Sequence, residues 1–182
     1  MTETASPSKL AFRAATDADV PAIVALVTSA YRGASSRAGW TTEADLLEGA
    51  RIDADVLRAD MARPRSRVVL SLRDGGLVAC AHVADDEGAG YFGMFSVVPP
   101  LQGAGIGDAL LAECERIAAR EWQLPVMRMT VIDVRDALIA WYVRRGYRRT
   151  GIHRPFPYGD LRFGVPLRAD LRFEMLEKGL PS

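Results

Sequence analysis

The fold prediction rests on residues 97–107, which read Val-Val-Pro-Pro-Leu-Gln-Gly-Ala-Gly-Ile-Gly. The apolar run Tyr91–Val98 predicts a buried strand, whereas the apolar spacing that starts at Ile106 is typical of an amphipathic helix. A strand therefore passes into a helix through a loop that carries alternate glycines. Such a loop leaves backbone N–H groups unpaired at the helix N-terminus, where the helix dipole favours an anion. The stretch predicts a cradle for a diphosphate.

The spacing of the glycines distinguishes between the known phosphate-binding motifs that use such a loop. A P-loop requires Lys and then Ser or Thr after its last glycine, but Asp108 and Ala109 follow Gly107 here. A dinucleotide-binding G-x-G-x-x-G counted from Gly103 places Asp108 where the last glycine belongs. The alternative to a phosphate cradle is a glycine-rich turn that only allows tight packing of the strand on the helix.

The stretch resembles instead the core motif of the GNAT superfamily of N-acetyltransferases, Gln/Arg-x-x-Gly-x-Gly/Ala preceded by Val-x-Pro. Val97-Val98-Pro99 matches the second element, and Gln102–Gly107 matches the first. Ala137–Tyr147 resembles the closing motif of the family, in which an alanine, a tyrosine on a short helix and Gly-Phe/Tyr follow the fifth strand. The resemblance covers residues 9–177, with its motifs in 91–147.

Hydrophobic periodicity and turn signals divide the rest of the chain into short elements. Strands are predicted at 9–14, 67–72, 77–83, 91–98, 126–131, 147–150 and 171–177, with a hairpin turn at Asp74-Gly75-Gly76. Helices are predicted at 17–31, after Thr42 with Leu46 and Leu47, at 53–62, from 105 onward and at 136–144. The resemblance implies an α/β (α+β) GNAT fold, a mixed sheet of about seven strands with about four flanking helices. It also implies that strands 91–98 and 126–131 splay apart.

Composition excludes several other classes of protein. With 182 residues, residues 9–178 suit one domain, and the polar residues 1–8 predict a disordered tail. Lys+Arg and Asp+Glu both number 23, so no general attraction to nucleic acid or to an anionic membrane is expected. Cys80 and Cys114 lie in apolar stretches without metal-ligand spacing, which predicts two reduced core thiols and no metal. A polar N-terminus without an apolar signal-peptide core, and no apolar run of membrane-spanning length, predict a cytoplasmic protein.

The resemblance implies that acetyl-CoA lies in the opening between the two splayed strands. The implied contacts are Phe95, Ser96, Val97, Gln102, Gly103, Ala104, Gly105, Ile106, Gly107 and Arg135. Arg135 stands where the family often has an asparagine that holds the pantetheine arm. It would therefore either reach a phosphate of CoA or lie exposed on the surface.

Tyr142 occupies the position of the family's tyrosine acid, which protonates the leaving CoA thiolate. Ordinary pKa values of tyrosine and thiol, about 10 and about 8.5, are close enough for such a transfer. The alternative role for Tyr142 is core packing, because it falls on the buried helix face beside Leu138. Many members carry a glutamate base on the fifth strand, but the aligned residue here is Thr130. The sequence therefore does not identify the residue that acts as the general base.

Five residues are candidates for the acceptor side. They are Tyr31, Trp40, Glu43, His82 and Tyr158. An aromatic ring and a carboxylate suit an amine, and a histidine can act as a base near neutral pH. The alternatives are core packing for Trp40, helix capping for Glu43, a structural histidine on a strand, and burial of the late-loop aromatics.

The leading functional hypothesis is acetyl transfer from acetyl-CoA to a primary amine of a small molecule. A second hypothesis is acetylation of a protein N-terminus or lysine, which would require an open groove. A third is a non-catalytic module that binds or senses CoA, since the strand lacks its carboxylate. No nucleic-acid or membrane partner is expected, and the resemblance makes a homodimer a candidate assembly.

Overall fold

The computed structural model describes residues 9–49 and 51–182, and these fold around one large sheet. The predicted disordered tail, residues 1–8, lies outside the described residues. The strands are β1 (Ala11–Ala14), β2 (Leu47–Glu48), β3 (Ser66–Arg73), β4 (Gly76–Asp86), β5 (Ala89–Val97), β6 (Val126–Ile132), β7 (Arg148–Pro155), β8 (Val165–Pro166) and β9 (Arg172–Gly179). Seven of them form a sheet in the order β1-β3-β4-β5-β6-β9-β7, and β2 pairs with β8 separately. The predicted mixed seven-stranded sheet is confirmed.

Helices cover both faces of this sheet. They are α1 (Val20–Tyr31), α2 (Gly33–Ser36), α3 (Ala54–Ala62), α4 (Ile106–Arg116) and α5 (Asp136–Val143), and a π-helical turn, Ile117–Glu121, continues α4. The α1 and α3 helices pack on one face through Ile23 and Leu57, whereas α4 packs on the other through Leu110 and Cys114. No helix in the described ranges is both long and apolar enough to cross a membrane.

The segment after Thr42 is not the helix that the sequence predicts. The N–H groups of Leu46 and Leu47 both donate to the Glu43 carbonyl, at 2.8 and 2.9 Å, and close one turn. The chain then enters β2, in which Leu47 faces Pro166 of β8. Both leucines are buried in a small cluster with residues of β6 and the late loop. This tertiary burial outweighs the weak helix propensity of the segment.

The parallel strands β5 and β6 separate soon after they meet. They pair only at Gly90 with Met127 and at Tyr91 with Arg128. Beyond these pairs each strand continues without the other, although β5 stays paired with β4 and β6 with β9. The predicted splay is therefore present, and it opens a cleft in the middle of the sheet.

A β-bulge lies in β5 at the mouth of this cleft. Cys80 of β4 faces Ser96, but His82 faces Gly93, so β5 contains one additional residue. Met94 has a φ of +52°, a left-handed conformation that is uncommon for a side chain other than glycine. The Tyr31 hydroxyl donates to the Phe95 carbonyl at 2.6 Å and ties α1 to the bulged strand. Bulges bend a strand and redirect its groups.

The burial of both cysteines predicts that their thiols are unreactive in the native protein. Cys80 and Cys114 are free and fully buried, and burial raises the pKa of the Cys80 thiol to about 12 and also raises that of Cys114. Because the thiolate is the reactive form, neither should react with Ellman's reagent in the native protein. In guanidinium without reductant, both thiols should titrate. Rapid native labelling, or loss of both thiols to a disulfide, would contradict this expectation.

Candidate active site

The glycine loop opens α4 with its first N–H groups uncapped. Gly103 and Gly105 have φ values of +85° and +80°, which residues with a side chain rarely adopt. Gly105 is the N-cap of α4, and no side chain caps this end. A Cβ at either glycine would have no heavy atom within 4 Å, so the space before the helix is open. The uncapped N–H groups, the open space in front of them and the helix dipole are together suited to binding a diphosphate.

Other positions of the loop serve packing. A Cβ on Gly107 would lie 2.9 Å from Cζ of Phe95, so glycine lets that ring cover the first turn of α4. Ile106 is buried in the core beneath α4, whereas Ala104 is exposed, and neither lines the cavity described next. The Gln102 amide donates to the Val97 carbonyl at 3.4 Å, which holds the loop against the end of β5.

A cavity extends from this loop along the end of β5. The predicted cofactor residues that line it are Phe95, Ser96, Val97, Gln102, Gly103, Gly105, Gly107 and Arg135. Sequence reasoning missed Trp141 and Asp108, which also line it. Arg145 lies over the Trp141 ring at 3.5 Å and donates to Asp108. The available signal was the spacing of Trp141, on α5, and Arg145, four residues later in the turn that follows this helix. We call this space the CoA-side cavity.

A second cavity lies between the separated parts of β5 and β6. Its lining includes Glu43, Leu47, Arg51, Tyr91, Met94, Met129, Thr130, Phe156, Phe163 and Phe173. Five residues line both cavities: Tyr31, Phe95, Arg135, Leu138 and Tyr142. We call this second space the acceptor-side cavity. The two cavities therefore meet at the Tyr142 side chain.

Tyr142 is 4% exposed and lies in an aromatic cluster on α5. Its ring packs edge-on against Trp141 at 5.1 Å and against Tyr147 at 5.8 Å between ring centres. Burial raises the pKa of the Tyr142 hydroxyl far above its ordinary value. The hydroxyl therefore keeps its proton at neutral pH, although the raised pKa makes it a weaker acid than an exposed tyrosine. Packing and proton donation are compatible roles, because the same side chain borders both cavities.

Glu43 is the centre of a buried ion-pair cluster. Its carboxylate accepts from Arg32 at 2.6 Å and from Arg135 at 2.9 Å, and Arg51 lies 3.9 Å away. Burial alone would raise the pKa of Glu43, but the positive charges of Arg135, Arg51 and Arg32 outweigh it and lower that pKa. Glu43 is thus an ionised partner of arginines and does not cap a helix. Arg135 is buried, and its other contact is Thr41 at 2.8 Å, so it is not exposed on the surface.

Three predicted acceptor residues lie outside the acceptor-side cavity. Trp40 is 45% exposed and borders the CoA-side cavity. Tyr158 lines neither cavity, because its hydroxyl donates to the Arg168 carbonyl and accepts from the Leu171 N–H, both at 2.9 Å. His82 also lies outside both, since β4 is one strand removed from the splay. Its Nε2 is 2.8 Å from Ser66 Oγ, and burial lowers the pKa of its ring.

Comparison with known proteins agrees with this geometry. Residues 64–149 match the family model described as an acetyltransferase (GNAT) domain. A ribosomal-protein-alanine N-acetyltransferase from Brucella melitensis is 22% identical, with a TM-score of 0.69 over 93% of this chain and 99% of that chain. The ribosomal-protein-S18-alanine N-acetyltransferase from Escherichia coli is 14% identical, with a TM-score of 0.69 over 96% of each chain. Among curated protein sequences, none matches this chain.

An acetyltransferase structure from Salmonella typhimurium, solved with its cofactor acetyl-CoA, has the same architecture. It is 21% identical, with a TM-score of 0.67 over 95% of each chain. At such identities the likeness shows a shared fold, and the family model covers both the glycine loop and the whole closing motif, Ala137–Tyr147. Residues 64–149 therefore match a GNAT acetyltransferase domain, and the described part of the chain has the GNAT fold.

Proposed function

We propose that this protein transfers the acetyl group of acetyl-CoA to a primary amine of a small molecule, with Tyr142 as the acid. The observation that supports this function is the meeting of two cavities at a junction whose lining includes the buried Tyr142. One cavity begins at an uncapped helix N-terminus, which suits the diphosphate of CoA. The other is lined by residues from four separate parts of the chain, within 31–51, 91–95, 129–142 and 156–173, as an acceptor site would be.

The residues that would hold acetyl-CoA fit the shape and charge of that ligand. The N–H groups of residues 103–107 would hold the diphosphate, and β5 from Phe95 to Val97 would flank the pantetheine arm. Bound acetyl-CoA would supply an activated acyl group, which the acceptor amine attacks directly. The new C–N bond forms, the C–S bond breaks, and the Tyr142 hydroxyl gives its proton to the departing sulfur. The acetylated nitrogen loses its extra proton to water, and water returns a proton to the Tyr142 oxygen.

A dedicated carboxylate base is not needed in this scheme. Glu43 is the one carboxylate among the described residues that line the acceptor-side cavity, and its arginine partners keep it a weak base. Those arginines lower the pKa of a nearby ammonium group, because like charges disfavour the charged form. The acceptor amine would therefore be deprotonated by the electrostatics of the cavity, without a carboxylate at Thr130.

Acetylation of a protein N-terminus is the second candidate, because two structural neighbours act on ribosomal-protein alanine. The acceptor-side cavity argues for a smaller acceptor, since Leu47, Phe156 and Phe163 enclose it. Comparing free amino acids and amines with N-terminal peptides, by thiol release from acetyl-CoA, separates the two. Faster turnover of the peptides would favour the second candidate.

Tyr142→Phe should lower kcat by about 100-fold or more, because it removes the proton donor for the thiolate. Acetyl-CoA affinity, measured by calorimetry, should not change. Tyr147→Phe is the matched control, since its hydroxyl donates to Glu115 at 2.9 Å and lines neither cavity. That control should cost about 1 kcal/mol of unfolding free energy and leave kcat intact.

Two outcomes of this experiment would contradict the proposal. Equal kcat for Tyr142→Phe and the parent would assign Tyr142 to packing alone. A parent protein that binds CoA, yet transfers acetyl no faster than the spontaneous reaction, would instead be a CoA-sensing module.

Gly105→Ala should weaken CoA binding by about tenfold or more, equivalent to about 1.4 kcal/mol. The added methyl group would occupy the space through which a phosphate approaches the α4 N-terminus. Gly75→Ala is the matched control: its φ is +78°, no heavy atom lies within 4 Å of its Cβ, and it sits in the β3–β4 turn. Both variants should lose about 1–2 kcal/mol of stability from backbone strain. Equal CoA affinity in the two variants would refute the phosphate cradle.

A further inference from the structure

Positive charge is in excess beside the acceptor-side cavity. Three arginines, Arg32, Arg51 and Arg135, surround the single carboxylate of Glu43 within 4 Å. The cluster thus holds two uncompensated positive charges, although the whole chain has zero formal net charge. Buried charges are usually paired, because an unpaired charge loses its hydration without compensation. An excess of this kind next to a cavity indicates that an anion completes the cluster.

Two of these arginines face the cavity directly. Arg135 lines it with a side chain that is only 10% exposed, and its Nε is buried without a hydrogen-bond partner in the described part of the chain. Arg51 lines the same cavity, and its guanidinium lies 4.8 Å from the centre of the Tyr31 ring. Arg32 is not part of the lining. Two guanidinium groups, those of Arg51 and Arg135, therefore belong to the lining of one space.

Much of the remaining lining of the cavity is apolar. It includes Phe156, Phe163 and Phe173, together with Met129 of β6. Phe156 and Phe173 pack with 5.5 Å between ring centres, and Phe156 and Phe163 with 6.4 Å. A ligand here would meet both guanidinium groups and aromatic rings.

We infer that the acceptor is an amino carboxylate with an apolar side chain, whose carboxylate pairs with Arg51 and Arg135. This inference rests on the proposed function, because it names the acceptor of the same reaction. Guanidinium groups recognise carboxylates through paired, charge-assisted hydrogen bonds. The aromatic wall takes the apolar side chain, and the amine then lies toward the junction where Tyr142 borders both cavities. Cationic polyamines are disfavoured by the same excess charge.

A binding experiment tests the inference without requiring turnover. The probes are N-acetylphenylalanine and its carboxamide, which share shape but differ in charge, titrated calorimetrically into the protein saturated with CoA; N-acetylmethionine and its carboxamide form a second pair. Each carboxylate should bind at least about tenfold more tightly than its amide, and higher salt should reduce the difference. Equal binding of acid and amide in both pairs would overturn the inference.

Arginine variants then identify which side chain binds the carboxylate of the ligand. Arg51→Met should abolish the preference for the acid, while Arg51→Lys, which keeps the charge, should retain part of it. Arg135→Lys should weaken the preference through loss of the planar guanidinium. Thermal unfolding and CoA affinity identify a variant that has merely lost its fold. An unchanged preference in folded Arg51→Met and Arg135→Lys would exclude these residues as the anion site.

Turnover separates failure of this inference from failure of the proposed function. Phenylalanine should be acetylated with a kcat/KM at least about tenfold above that of phenethylamine, which lacks only the carboxylate. Acetylation of both amines at equal efficiency would overturn the inference but leave the acetyltransferase function intact. Absence of CoA binding would overturn the proposed function itself, whatever the acid and amide probes show.

Discussion

The site depends on the short pairing between β5 and β6. Two residue pairs join these strands, and the hydrogen-bond ladder then ends inside the sheet. Unpaired backbone in a protein interior is costly unless another partner or a ligand satisfies it. The bulge at Met94 redirects β5. The Tyr31 hydroxyl donates to the Phe95 carbonyl and so provides a partner for one of the backbone groups near the opening. The rest of the opened edge lines cavities.

The same separation leaves Tyr142 on the border of both cavities. Tyr142 lies on α5, which contributes to the lining of each. Burial keeps its hydroxyl protonated, and the cluster around Glu43 makes the neighbouring space positive. A leaving thiolate and an anionic acceptor both suit this electrostatic environment, since each carries negative charge.

Local signals allowed the central part of the fold to be predicted from the sequence. The strand, glycine loop and α4 occur where the pattern placed them, and Asp74-Gly75 forms the predicted hairpin turn. These features depend on residues close together in the chain: left-handed φ values at glycines, and apolar spacing on one helix face. The fold class and the placement of Tyr142 on a short helix followed from the same kind of information.

The sequence alone therefore determined the fold class, the glycine cradle and the position of Tyr142, because each is encoded within a few neighbouring residues. Only the tertiary structure decided the partners of Glu43, since Arg135 lies 92 positions away along the chain and charge pairing at that range leaves no periodic signal. It also decided that Leu47 joins a strand and that His82 lies outside the cleft. Both outcomes depend on which surfaces meet when the chain packs, and local propensity carries no information about that.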